Sequence, residues 1–298
     1  YYPDFAFTHP LFSKGMRIYS DSKVSRLLGS ITKDHTIGFL DSWNAKRDRR
    51  QRLYISYDST NKNCQAGDID IVEFGKAKDD KDLPIFNLAL AFDKTNQVPL
   101  FYEEYPGSIN DVSQFSFLVD KVLEYGYRNM GFILDRGYFS KENICYMDEM
   151  GYSFIIMVKG MKGLVSSLVA SKIHSFETKR ECAIRSYRVY GTTVKARLYA
   201  DDRKDRYFHI YYNAGRQAAE REQLEQKIDG YKKLLRKVEG QQISFSRNIL
   251  QYFDIYWGKN NAFLYAKEKA SVIEAELNLC GYFCIVTSEK MSAEEALI

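Results

Sequence analysis

The spacing of apolar and polar positions predicts a succession of strands and helices in the first half of the chain. β-Branched and aromatic runs at 53–58, 83–93 and 97–107 predict three strands, the last two as a hairpin. Apolar residues at 115, 118, 119 and 122 lie on one helical face, after a capping pattern of Ser108 and Asp111 and before Gly126. A strand at 131–134, a helix ending at Gly151 and a strand at 152–160 follow. This order predicts an α/β fold.

The pattern changes beyond residue 160. Alternation at 185–200 and 205–213 predicts antiparallel strands, and 214–239 reads as one long helix. Its apolar residues step by four, three, four and three, which predicts a packing seam of Leu224, Ile228, Tyr231, Leu235 and Val238. A strand returns at 281–288. We therefore interpret 160–279 as an insertion that packs on the flank of a core.

Four segments follow from these patterns. Residues 1–50 are a helical N-terminal segment, in which 16–50 are predicted to be helical. Residues 51–159 are the first part of the core, and 160–279 are the insertion. Residues 280–298 return to the core, where Ser292 and Glu295 form a capping pattern at the start of a further helix.

Composition restricts the class of protein. The hydrophobic content of 45% and the charged content of 28% are those of a soluble globular protein, and no apolar run is long enough to span a membrane. The net charge of +4 permits a nucleic-acid partner. The five cysteines are scattered, which favours reduced thiols in a cytosol over disulfides or a zinc site.

Two aspartates follow hydrophobic strand patterns. Asp58 and Asp135 are predicted at the ends of the first and fourth strands. Parallel neighbouring strands would bring both carboxylates to one mouth of the sheet. Oxygen ligands of this kind favour Mg²⁺ or Mn²⁺, and a pair of carboxylates can hold two ions about 4 Å apart. Arg136 would face the same anionic substrate, and Gly137 would let the backbone approach it.

The same residues have a purely structural interpretation. An aspartate after a strand is most often a turn former or a helix N-cap. Asp58 before Ser-Thr-Asn is compatible with a turn, and Asp135 with Arg136 is compatible with a salt bridge below a helix start.

Several motifs together resemble the DDE transposases of bacterial insertion sequences. They are "YDSTN" on the first strand, "YPGSINDVSQF" after the third, and "DRGYFS" followed by "YSFIIMVKG". The resemblance covers about residues 45–160 and resumes near 280. It implies a ribonuclease-H-like mixed five-stranded sheet with flanking helices, interrupted by a β-rich and helical insertion. It also implies that Asp58 and Asp135 bind the catalytic metals, Mg²⁺ or Mn²⁺, with residues 136–140 bordering the active site.

The family's third acid is a glutamate on the helix after the insertion, within the pattern Tyr-x₂-Arg-x₃-Glu-x₆-Lys. The one tyrosine with an arginine three residues later is Tyr125, and Phe132 stands where the glutamate should be. We therefore expect the third ligand beyond Ile298, and expect the chain to be a fragment that can be inactive alone.

The resemblance implies a DNA transposase that nicks DNA and transfers strands, acting in the bacterial cytosol or nucleoid. Its partners are double-stranded DNA, as terminal inverted repeats and target, and a second copy in a homodimer on DNA, with no membrane. Candidate DNA contacts are Arg136, Lys159 and Lys162. Two alternatives remain open: a nuclease or resolvase on the same core, and an inactive remnant that only binds DNA.

Overall fold

A computed structural model describes residues 2–10, 14–15, 20–48, 50–159, 162–202 and 204–297, without the side chains of Tyr2, Asp111 and Lys162. The chain divides into two compact units, Tyr1–Gly131 and Phe132–Ile298. The predicted chain order of three strands, helix, strand, helix and strand is confirmed, and so is the α/β class. This order is compatible with a ribonuclease-H-like fold.

In its described residues, the first unit holds four helices and three complete strands. Their bounds are α1 Tyr2–Thr8, α2 Asp21–Gly29, α3 Lys33–Ala45, β1 Leu53–Asn63, β2 Ile85–Asp93, β3 Val98–Pro106 and α4 Asp111–Glu124. The helix predicted over 16–50 is thus two helices where the structure describes it. They are separate because the Thr32 side chain accepts a hydrogen bond from the His35 backbone and starts α3 anew, with the His35 side chain completing the capping box.

The sheet of the first unit has the order β3-β2-β1, with both pairs antiparallel. Strand β1 continues five residues past Asp58, whose Cα pairs with that of Leu90 on β2. The prediction that Asp58 ends its strand is therefore wrong. The alternation of buried residues at 53, 55 and 57 is followed by polar residues, yet those polar residues stay paired to β2.

Helix α4 closes over this sheet as its apolar face predicts. The four apolar positions are fully buried: Phe115, Leu118, Val119 and Val122. The N-cap is Asn110, whose side chain accepts from the Ser113 backbone at 3.2 Å, so the predicted cap at Ser108 is wrong. Ser108 instead donates its hydroxyl hydrogen to Glu73.

Strand β4, Met130–Leu134, spans the boundary between the units, and the second unit continues from it. The later elements are α5 Lys141–Glu149, β5 Ser153–Met157, α6 Lys162–Ala170, β6 Ala183–Ile184, β7 Val189–Arg197, β8 Asp205–Tyr212, α7 Ala214–Lys237, α8 Arg247–Tyr252, β9 Phe253–Trp257, β10 Phe263–Glu268, α9 Ala270–Leu277 and β11 Tyr282–Thr287. A short 3₁₀ helix, Arg136–Tyr138, links β4 to α5.

The strands of the second unit run in the order β5-β11-β8-β7-β6, all antiparallel. Strands β6 to β8 come from 183–212, inside the segment predicted to stay outside the central sheet. That expectation is wrong for these strands because β11 pairs with β5 on one edge and with β8 on the other. The returning strand at 282–287 therefore joins core and insertion strands in one sheet.

The rest of the insertion has its own core. The long helix α7 begins after its N-cap, Asn213. The predicted packing seam of this helix is confirmed. Leu224, Ile228 and Leu235 are buried, and Tyr231 and Val238 are half-buried against this cluster. Residues of α8, α9 and the two-stranded sheet β9-β10 complete this cluster. In the described residues, no helix is long and apolar enough to cross a membrane. All five cysteines are free thiols.

Candidate active site

Asp58 stands on an exposed face of the first unit's sheet. Side chains alternate between faces along a strand, and Leu53, Ile55 and Tyr57 point to the buried face. Asp58 is exposed, and its cross-strand neighbours are Leu90 and then Tyr102, which are both partly exposed. The carboxylate is therefore presented by a paired and rigid strand.

On the buried side of β1, a series of polar contacts holds Tyr57, the residue that precedes Asp58. Tyr57 is 1% exposed and donates its hydroxyl hydrogen to Glu103 Oε2 at 2.8 Å. Glu103 Oε1 lies 3.5 Å from the Lys121 ammonium on α4. Because the residue next to Asp58 is tied to both β3 and α4, the strand has little freedom to shift its register there.

The loop between β1 and β2, residues 64–84, is held against the end of β1 by two asparagines. Asn61 Nδ2 donates to the Lys76 carbonyl at 3.0 Å, and Asn61 Oδ1 accepts from the Lys78 backbone at 2.9 Å. Asn63 repeats the arrangement with Asp80, at 2.7 and 3.0 Å. Each side-chain amide thus pairs with the loop backbone as a neighbouring strand would.

The same β1–β2 loop is also fastened at its base. Glu73 and Ile85 exchange two backbone hydrogen bonds of 2.9 and 2.8 Å. Gly75 and Gly107 lie so close that a Cβ on Gly75 would sit 2.0 Å from the Gly107 oxygen. Only glycine permits this approach. The β1–β2 loop is therefore a fixed part of the structure.

Asp135 follows β4 directly and is exposed. It is the N-cap of the 3₁₀ helix Arg136–Tyr138, because its Oδ1 accepts a hydrogen bond from the Gly137 backbone. The cap uses one carboxylate oxygen and leaves Oδ2 to act as a ligand. Asp135 is therefore a helix cap, as its structural interpretation predicts. The cap orients the carboxylate and uses only one of its two oxygens.

The turn after Asp135 leads into α5 through a second cap. Ser140 Oγ accepts from the Asn143 backbone at 3.1 Å, and Asn143 Nδ2 donates to the Tyr138 carbonyl at 2.9 Å. Farther along α5, Asp148 forms an ion pair with Arg206 of β8, whose side chain is 2% exposed. The helix that follows the Asp135 turn is therefore held on the sheet by a buried cation.

The cationic side chains of this region differ in whether they already have an ion-pair partner. The Lys141 ammonium lies 2.6 Å from Asp201 Oδ2, and this hydrogen bond raises the pKa of Lys141. Arg136 and Lys159 are exposed, and neither side chain has a hydrogen-bond or ion-pair partner within the described ranges. They are free to meet an anionic ligand. Lys162 begins α6, and its side chain lies outside the described residues.

The donors present fit a hard divalent cation. Asp58 and Asp135 offer exposed carboxylate oxygens, the ligand type that Mg²⁺ and Mn²⁺ prefer over sulfur or imidazole. Among the described residues, no group of three histidine, cysteine or acidic side chains is placed to hold a metal. Asp58 belongs to the first unit and Asp135 to the second.

Sequence reasoning missed the residues that organise the surroundings of Asp58. The sequence predicts no role for Asn61, Asn63 and Lys78, although Asn61 is buried and all three form hydrogen bonds between β1 and its loop. The available signal was the Asn-x-Asn spacing, which places two amides on one face of a continuing strand. Asparagine is disfavoured in strands, so the pattern indicated a turn instead.

Comparison with known proteins places the chain in a family. The family model described as "Transposase DDE domain" matches residues 33–295. Among solved structures, the chain is similar to one titled "Cryo-EM structure of piggyBac transposase synaptic complex with hairpin DNA (SNHP)", at 11% identity and a TM-score of 0.31. That similarity covers 54% of this chain and 31% of the other. No curated protein matches the chain.

Proposed function

This chain belongs to the transposase DDE domain family, and from that premise we propose that it catalyses metal-dependent cleavage of DNA ends and their transfer to target DNA. The observation that carries the proposal is the family match over residues 33–295, which includes the exposed carboxylates of Asp58 and Asp135. We assign the metal-binding role to these two residues.

Asp58 and Asp135 have the same chemical character within their separate units. Both are exposed carboxylates, and both lie inside the family match. We therefore assign them the same role, that of ligands to a divalent ion.

Different residues have different roles in the proposed reaction. Asp58 and Asp135 hold the divalent ions, Mg²⁺ or Mn²⁺, which when bound polarise the phosphodiester and lower the pKa of an attacking hydroxyl or water. The Gly137 backbone keeps the Asp135 carboxylate oriented through its hydrogen bond. Arg136 and Lys159 carry free positive charge and contact DNA phosphates. Lys162 is assigned the same role from the sequence.

The wider assignments follow from the same proposal. The substrate is double-stranded DNA, as terminal inverted repeats and as target, bound by a homodimer in the cytoplasm. In this proposal residues 51–159 and 280–298 carry the chemistry, and 160–279 are an accessory insertion whose strands β6 to β8 extend the sheet beyond β11. The described part of residues 1–50 holds the helices α1 to α3 and precedes this core in the chain.

The decisive experiment substitutes each acid in the full-length protein. Asp58→Asn and Asp135→Asn keep the side-chain shape but remove the charge that holds the ions, so each should reduce nicking in Mg²⁺ by at least about 10³-fold. Affinity for DNA should stay within about threefold, because phosphate contacts by lysine and arginine dominate it. The assay is nicking of a labelled duplex that carries the inverted repeat flanking the gene, beside a gel shift.

The outcomes separate the competing functions. Nicking at the wild-type rate by Asp135→Asn would remove that residue from the site and leave it as a turn former. Cleavage without joining of the freed 3′ end to target DNA would identify a nuclease or resolvase. DNA binding without any cleavage, in the full-length protein with Mg²⁺ or Mn²⁺, would identify a DNA-binding remnant.

A further inference from the structure

Lys78 of the β1–β2 loop is held beside Asp58 in a defined position. Its ammonium Nζ donates to the Ser59 carbonyl at 2.8 Å, and Ser59 is the residue after Asp58. Its backbone is fixed by Asn61 Oδ1. Both ends of the lysine are therefore tied to β1, within three residues of Asp58.

The charge of Lys78 is not neutralised where it sits. A carbonyl is a dipole and carries no net charge, so the ammonium keeps its full positive charge and two of its three donors. Within the part of the chain that the structure describes, the Ser59 oxygen is the ammonium's one hydrogen-bond or ion-pair partner. The nearby acids have other contacts: Asp79 lies 4.0 Å from Lys62, and Asp80 accepts from the Asp82 backbone.

The fixed loop distinguishes Lys78 from an ordinary surface lysine. A lysine side chain loses conformational entropy when it is ordered. The two asparagine contacts, the Glu73–Ile85 pair and the close approach of Gly75 to Gly107 order the loop before any ligand binds. A cation held in advance costs less to bring to an anion.

We propose that Lys78 contacts the DNA substrate directly, donating to non-bridging oxygens of a backbone phosphate next to the one held by the Asp58 metal site. The inference rests on the proposed function, since the anion is expected there because Asp58 is assigned to the cleavage site. Lys78 binds and positions the strand; no bond forms or breaks at its nitrogen.

The test uses Lys78→Met, which keeps most of the side-chain length but removes the charge and the donors. Lys81→Met is the matched control, because Lys81 is exposed on the same loop and the change in net charge is identical. The probe is a random-sequence duplex of about 30 base pairs, titrated by gel shift over a range of salt. Lys78→Met should weaken binding about tenfold and reduce the slope of log K against log salt by about 1. Lys81→Met should change neither.

Lys78→Arg separates a DNA contact from a structural one. Arginine keeps the charge and should restore most of the affinity and the salt slope. Loss of thermal stability in both Lys78 variants, with the salt slope unchanged, would overturn the inference and leave the lysine as a brace for the Ser59 carbonyl. An unchanged affinity in Lys78→Met would overturn it as well.

The two proposals fail in different ways. If Asp58→Asn still nicks DNA while Lys78→Met shows the reduced salt slope, the cleavage assignment is wrong and the DNA contact stands. If Asp58→Asn is inactive while Lys78→Met binds as the wild type does, the cleavage assignment stands and the Lys78 contact is wrong.

Discussion

Asp58 and Asp135 are exposed aspartates assigned to one reaction, but their surroundings are built in different ways. Asp135 is oriented by the Gly137 backbone two residues away, in a turn that is complete within residues 134–143. Asp58 is set in a strand whose neighbours come from β2, β3, α4 and a loop that returns up to 20 residues later in the chain. The conformation of Asp135 is fixed by local contacts, whereas that of Asp58 depends on residues that are distant in sequence.

This difference decides how each acid responds to change. A local cap survives most substitutions elsewhere, because it needs only its own few residues. A setting assembled from distant segments is sensitive to any substitution that moves one of them.

Asp148→Asn should produce the largest loss of stability. It leaves the Arg206 guanidinium, which is 2% exposed, buried without its carboxylate partner. Breaking such a pair by removing one partner costs about 3–5 kcal/mol. Urea unfolding should show this loss. The control is Asp201→Asn, which removes an exposed partner of Lys141 and should cost about 1 kcal/mol or less.

Gly107→Ala should disturb the Asp58 side specifically. The added Cβ would lie 2.2 Å from the Ile85 oxygen and 2.6 Å from the Glu73 oxygen, so the base of the β1–β2 loop must move. We expect a loss of about 1–3 kcal/mol and faster amide exchange at residues 76–80. In the matched control Gly67→Ala, the new methyl group meets nothing within 4 Å. Equal exchange in the two variants would contradict the fixed loop.

Ser140→Ala should have a smaller and strictly local effect. It removes the side-chain acceptor for the Asn143 backbone at the start of α5, which costs about 1 kcal/mol. Amide exchange should rise in the first turn of α5, while Gly137 stays protected by Asp135. Loss of protection at Gly137 would show that the Asp135 turn is not independent.

Mild acid should destabilise the second unit through His209. Burial lowers the pKa of His209 to about 4, and its ring nitrogens lie 2.9 Å from Thr193 Oγ1 and 3.0 Å from Thr287 Oγ1. The unfolded chain, with a pKa near 6.5, binds the proton more readily. Stability is therefore complete above about pH 6.5 and falls as the pH drops towards 4, by somewhat under about 1 kcal/mol at pH 6. His209→Gln should flatten this part of the pH profile.

The elements with strong periodicity follow from the sequence alone. The seam of α7, the buried face of α4 and the order of strands and helices up to β5 could be read directly, because each repeats its signal many times over a short range. The role of Asp135 as a helix cap could also be predicted, since "DRGYFS" contains both the cap and the turn that it closes.

The surroundings of Asp58 and the extent of the sheet depend on contacts between segments that are distant in the chain. Nothing local at Asn61 says that its amide pairs with the backbone of residues 76–78, because the two segments meet only after the loop folds back. Likewise, β8 carries the same alternation whether it stands apart or pairs with β11. A strand's pattern records which face is buried, while its edges bond through backbone groups that every sequence shares.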